Sequence, residues 1–99
     1  MPTEYKYTIS GRAAAYCIPG GTTSTGKKAK PGYIAVNPKQ IPYGTEMWIV
    51  SNDGVVYGYA IAADTGGFVK HGYFTCDLFM NTKEQCIQWG DRGVTIYVL

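Results

Sequence analysis

Acidic side chains are scarce in this sequence: seven aspartates and glutamates stand against nine lysines and arginines in 99 residues. Histidine occurs once, at His71, and Cys17, Cys76 and Cys86 form no CxxC pair. Those absences speak against a zinc site of the usual Cys/His spacing, and nothing suggests a metal or an organic cofactor. No apolar run approaches the roughly eighteen residues of a membrane-spanning helix. The start "MPTEYKY" has neither the basic beginning nor the apolar core of a signal peptide. Basic residues cluster only at Lys27-Lys28-Ala29-Lys30, too few for a nucleic-acid-binding face. That run reads first as a solvated loop and second as a contact for an anionic polymer. Charge is low throughout, at 16% of residues, which argues against a disordered chain.

Tyrosine and glycine are plentiful, with nine and thirteen copies. Strand-formers mixed with turn-formers predict many short strands joined by tight connections in one small domain. Alternation and apolar runs place strands over 5–17, 33–36, 45–50, 55–63, 73–80 and 93–99. Residues 18–32 form a long Gly, Thr, Lys and Pro-rich loop, of a length that often carries function. "SNDG" (51–54) is a hairpin signal, and Gly58 inside a strand suggests a bulge or a close backbone approach. One helix is expected over 82–89, capped by Asn81 with Glu84 in a capping-box pattern and stopped by Gly90. Six or so strands and one short helix point to an all-β fold, a small closed barrel without exposed edges.

Two of the few acids stand beside the most apolar stretches. Asp64 opens the loop "DTGG", where an aspartate is commonly a turn former bonded to backbone amides. Asp77 interrupts the apolar strand "YFTCDLFM", where a carboxylate is costly unless it is paired or functional. Asp53 and Asp91 lie in turn-like surroundings and are expected at the surface. The cysteines allow one disulfide with a free thiol, or three buried thiols, and their spacing does not choose.

The blocks "VNPKQIPYGTEMWI", "YGYAIAADTGG", "DLFMNT" and "WGDRGVTIYVL", in that order, resemble the three-aspartate (3D) domain. The resemblance implies a six-stranded double-psi β-barrel with one short helix near the C-terminus. It also implies kinship with the catalytic barrels of membrane-bound lytic transglycosylase A and rare lipoprotein A, and more distantly with expansins and some endoglucanases. It runs from Gly11 to Leu99, so residues 1–10 are read as an N-terminal extension or first strand and 11–99 as a single barrel domain. The family's three aspartates fall on Asn37, Asp64 and Asp77, the first replaced here by an amide. The segment between Asp64 and Asp77 is also somewhat longer than the usual form.

In the related transglycosylases the residue matching Asp77 is the acid/base. The resemblance thus implies a peptidoglycan-cleaving lytic transglycosylase, with Asp77 and Asp64 as catalytic residues. Asn37, Thr65, Gly66 and Lys70 are implied as substrate contacts. One carboxyl can serve twice: it protonates the leaving oxygen, then takes the proton of the sugar's own C6 hydroxyl as that oxygen closes a 1,6-anhydro ring. Such an acid must keep its proton near neutral pH, which apolar neighbours and a nearby carboxylate favour. Lys70 and His71, between the aspartates, read more readily as solvated loop residues than as ligands. Tyr16, Tyr43, Tyr57, Tyr59 and Trp48 could stack on sugars or simply pack. The alternatives are a glycan-binding barrel without catalysis, prompted by Asn37, and a water-using hydrolase. The implied partner is the peptidoglycan glycan strand, met by a monomer. The implied location is the cell wall, the chain being an excised domain of a secreted bacterial protein. The absent signal peptide and free-looking cysteines weakly favour an intracellular role instead.

Overall fold

The computed structural model describes residues 2–17, 21–23, 25–66, 72 and 74–99. Six strands are formed: β1 (Tyr7–Tyr16), β2 (Tyr33–Val36), β3 (Glu46–Ser51), β4 (Val56–Asp64), β5 (Cys76–Phe79) and β6 (Arg92–Val98). They close into a barrel in the order β1-β5-β2-β4-β3-β6, with a single helix among the described residues, α1 (Lys83–Trp89), near the C-terminus. The all-β barrel expected from the sequence is therefore the fold. Two pairings, β1 with β5 and β2 with β4, are parallel, and the other four are antiparallel. No helix among the described residues is long and apolar enough to cross a membrane.

Strand alternation fills the interior. Ala13, Ile34, Val36, Met47, Ile49, Ala60, Ala62, Cys76, Leu78, Val94, Ile96 and Val98 point inward and form one cluster with Trp89 and Ile41. Each large aliphatic side chain buried there stabilises the fold by about 1.5–3 kcal/mol before entropy is counted. The helix closes one end. Its Trp89 donates from Nε1 to the Ala13 carbonyl (3.1 Å) and meets the Tyr57 ring edge-on. Gly90, at φ +65°, ends the helix and donates to the Cys86 carbonyl.

The helix start differs by one residue from the sequence expectation. Thr82 is the cap, its hydroxyl accepting from the Gln85 N–H (3.2 Å), while the Gln85 side chain accepts from the Asn81 N–H (3.0 Å). A Thr-x-x-Gln box competes here with the Asn-x-x-Glu box one position earlier, and it wins. Gly58 behaves as expected, with φ +104° at a register shift where Ile49 faces Gly58 but Val50 faces Val56. Asp53 and Asp91 are exposed and pair with Arg92 and Arg12.

Gly11 marks the tightest crossing, where β1 leaves β6 to meet the segment entering β5. A Cβ at Gly11 would lie 1.9 Å from the Thr75 hydroxyl oxygen and 2.7 Å from the Thr75 Cβ. The Thr75 N–H donates to the Arg12 carbonyl nearby, so Thr75 has little room to withdraw. Gly11→Ala is expected to lower unfolding stability by about 1–3 kcal/mol through overpacking. Denaturant melts of G11A, T75G and the double variant check this, with the double losing less than the two singles added.

Candidate functional site

The site begins with a row of residues in register across four strands. Asp77 on β5 faces Ala14 of β1 on one side and Ala35 of β2 on the other. Ala35 in turn faces Asp64 of β4. Directly opposed residues share a face of the sheet, so the row Ala14, Asp77, Ala35, Asp64 projects outward from the barrel. The two aspartates are separated by one alanine and two strand spacings, on the order of 9–10 Å between backbones.

A bulge makes the row. Ile34 faces Ala62, yet Ala35 faces Asp64, so Ala63 is an extra residue on β4. Alternation counted from the core residue Ala62 would turn Asp64 inward, and the extra residue turns it to the outer face instead. The bulge is fastened from outside: Thr25, between β1 and β2, donates to the Ala63 carbonyl from its N–H (3.3 Å) and its hydroxyl (2.9 Å).

Over this row lies a cleft of about 370 Å³. Its floor is Ala14, Ala15 and Ala35, and its sides include Tyr16, Phe74, Thr65 and Gly66, with both aspartates opening into it. Small residues on the outer face leave the hollow, while larger residues at its edge wall it.

The two acids sit in different surroundings. Asp77 is half-buried, and desolvation by its apolar neighbours raises its carboxyl above the usual aspartate range. Asp64 accepts from the N–H of the adjacent residue, Thr65 (2.8 Å), one position short of the amide that an Asx turn uses. Its charge bears on Tyr16, whose hydroxyl is pushed well up, first by burial and then by the charge of Asp64. Asp64 also engages that hydroxyl as a hydrogen-bonding partner, and the Tyr16 hydroxyl lies 3.4 Å from the Tyr33 carbonyl. The Tyr16 ring meets Phe79 edge-on at 5.5 Å. Tyr16 is therefore a neutral hydroxyl held beside Asp64 and within the electrostatic reach of Asp77.

The structure brings Asp77, Asp64, Thr65 and Gly66 into one cleft. The Thr65 hydroxyl is buried with no hydrogen-bond partner among the described residues. A Cβ at Gly66 would meet nothing within 4 Å, so packing does not demand a glycine there. Asn37 stands apart from the cleft lining. Its side-chain oxygen accepts from the Lys39 N–H (3.0 Å), and its carbonyl accepts from Gln40 and Ile41, so it builds the turn after β2. Lys70 and His71 lie outside the described residues. Of the five aromatic candidates only Tyr16 lines this cleft. Tyr57 is bound to the Phe79 carbonyl and the Gly32 N–H, and Tyr59 to Glu46. The alanines of the floor were missed in the sequence, where "AAAY" reads only as a small-residue strand.

A 3D domain family model matches residues 32–99 of this chain. The chain is 36% identical over 98 residues to the "Putative cell wall shaping protein YabE" of Bacillus subtilis (strain 168), across 93% of this chain and 22% of that protein. It is also 36% identical over 83 residues to the "Cell wall-binding protein YocH" of the same organism, across 80% of this chain and 26% of that protein. The chain thus spans about a quarter or less of the length of the curated relatives it matches.

Because Asp77 binds its proton more tightly folded than unfolded, stability changes with pH in a defined direction. Below the ordinary aspartate pKa both states are protonated and Asp77 contributes nothing to the pH dependence. As pH rises from there through the raised value, the unfolded state ionises first and stability falls. Asp77→Asn is expected to flatten that fall and to raise Tm at neutral pH. Thermal melts of wild type and variant from mildly acid to neutral pH test this; equal slopes would count against the buried-acid assignment.

Proposed function

Starting from the chain's membership of the 3D domain family, we propose that its cleft cleaves peptidoglycan glycan strands as a lytic transglycosylase, with Asp77 as the single acid/base. The observation that carries this reading is the row of Asp77, Ala35 and Asp64 beneath one cleft, with the more apolar position given to Asp77. The names of the two relatives, one tied to wall shaping and one to wall binding, support the cell wall as the place of action.

Asp77, its carboxyl raised by desolvation, delivers its proton to the glycosidic oxygen as the bond to the anomeric carbon lengthens. Asp64, in a polar, hydrogen-bonded setting, stabilises the positive charge that grows on the sugar ring. Tyr16, bonded to Asp64, presents its hydroxyl toward the same space. The Asp77 carboxylate left by the first step accepts the C6 hydroxyl proton while that oxygen closes on the anomeric carbon. The acid is thereby regenerated and a 1,6-anhydro end is left. Thr65 and Gly66 lie where the sugar would rest, the first offering its hydroxyl and the second close backbone approach. Asn37, at the turn after β2, and Lys70, between the aspartates in sequence, are proposed as outlying contacts.

A second reading has its own support. With an amide in place of the first family aspartate and a relative named for wall binding, the same cleft could hold a glycan without cutting it.

Muropeptide analysis of purified walls separates the two. Wild type is expected to release 1,6-anhydro products, and Asp77→Asn to lower that release by about 10²–10⁴-fold. Wall binding in a pelleting assay is expected to survive the substitution. Binding by wild type without any product would select the second reading, and reducing ends in place of anhydro ends would select water as the nucleophile. The rate is also expected to fall as pH rises past the raised Asp77 value, because the acid must begin protonated.

A further inference from the structure

The three cysteines, equivalent in the sequence, are not equivalent in the fold. Cys76 is wholly buried on β5, and burial pushes its thiol up to about 12. Cys17 and Cys86 are half-buried and line one groove of about 520 Å³ with Tyr16 and Asn81. Cys17 directly follows β1, and its thiol donates to the Asn81 carbonyl (3.4 Å) in the turn leading to α1. Cys86 lies one turn into α1, on the face it shares with Thr82 and Lys83, which line the same groove. Burial raises the Cys86 thiol, and the charge of Cys17 adds to that rise, so each sulfur lies within the electrostatic reach of the other.

We propose that Cys17 and Cys86 are a disulfide site that staples the end of β1 to α1. With a small-molecule disulfide such as oxidised glutathione as the oxidant, the thiolate of one cysteine attacks it, forming a mixed disulfide and releasing one glutathione thiolate. The thiolate of the second cysteine attacks the protein-bound sulfur, forming the Cys17–Cys86 bond and releasing the other. Two protein thiols lose two protons and two electrons, all of which end on two molecules of reduced glutathione. The bond closes most of the chain into a ring, so it restricts the unfolded state over a long loop. It also anchors β1 one residue beyond Tyr16, where the strand gives way to the long loop. This inference does not depend on what the aspartate cleft does.

Incubation with oxidised glutathione, followed by intact mass spectrometry and peptide mapping, tests the site. The protein is expected to lose the mass of two hydrogens, to yield a Cys17–Cys86 linked peptide pair, and to keep one thiol that alkylates only after unfolding. Tm is expected to rise by about 10 °C on oxidation and to return with reductant. Cys17→Ser and Cys86→Ser are each expected to lose that gain while remaining folded by circular dichroism. Three results would overturn the proposal: stable glutathione adducts on both cysteines, a linkage through Cys76, or a chain whose mass is unchanged. An equal Tm gain in either serine variant would also do so.

Discussion

The site depends on one extra residue in β4. Parallel pairing of β2 and β4 runs from Tyr33 opposite Ile61 to Ile34 opposite Ala62, and had it continued evenly Ala35 would face Ala63. The bulge brings Asp64 to Ala35, onto the face where Asp77 already stands from the opposite side. A one-residue slip reverses the side of every later side chain in a strand, so a bulge at the strand's last positions re-aims one residue and spares the core before it. Thr25 grips the Ala63 carbonyl with two donors, which ties the long β1–β2 loop to the position where register is decided.

The same row explains the alanines. Inside the barrel, Leu78, Ile34 and Val36 are fully buried in the core, while on the outer face Ala14 and Ala35 flank Asp77 with single methyl groups. Larger residues there would cover the carboxyl and close the cleft. Alanine keeps water close enough for Asp77 to titrate, yet its methyls and Phe74 withhold the hydrogen bonds that would hold the carboxylate low. The result is a carboxyl raised by desolvation beside another engaged by Thr65 and Tyr16. Paired acids with contrasting surroundings are the arrangement from which acid/base roles arise.

Much of the barrel was legible because its signals are local. "YIAV" is a strand over the predicted residues, Gly58 sits at a bulge with positive φ, and Gly90 ends the helix. Short-range competition was harder to read: Asn81 and Thr82 both offer a cap, and the partner Gln85 decides between them. The adjacency of Asp64 and Asp77 was reached through family resemblance, since nothing in the residues between them states that β2 lies between β4 and β5. Strand order in a closed barrel with two parallel pairings is a non-local property. The shape of the cleft was illegible for a related reason, because the alanines become its lining only once strand order and register are known.

Asn37 shows how a family position can serve the fold here. An aspartate at this point could accept the same Lys39 N–H, so the turn after β2 does not require the amide. What the amide changes is charge, two residues along β2 from Ala35 and at the end of the strand that separates the two acids. With a carboxylate there, a third negative charge would stand near the row and favour protonation of its neighbours. With Asn37, that influence is gone and the rise at Asp77 rests on desolvation alone. The rise at Asp77 thus depends on how well the cleft lining shields its carboxyl from water. It follows that this chain's acid should respond more sharply to a polar residue placed in the cleft floor than to any change at the turn.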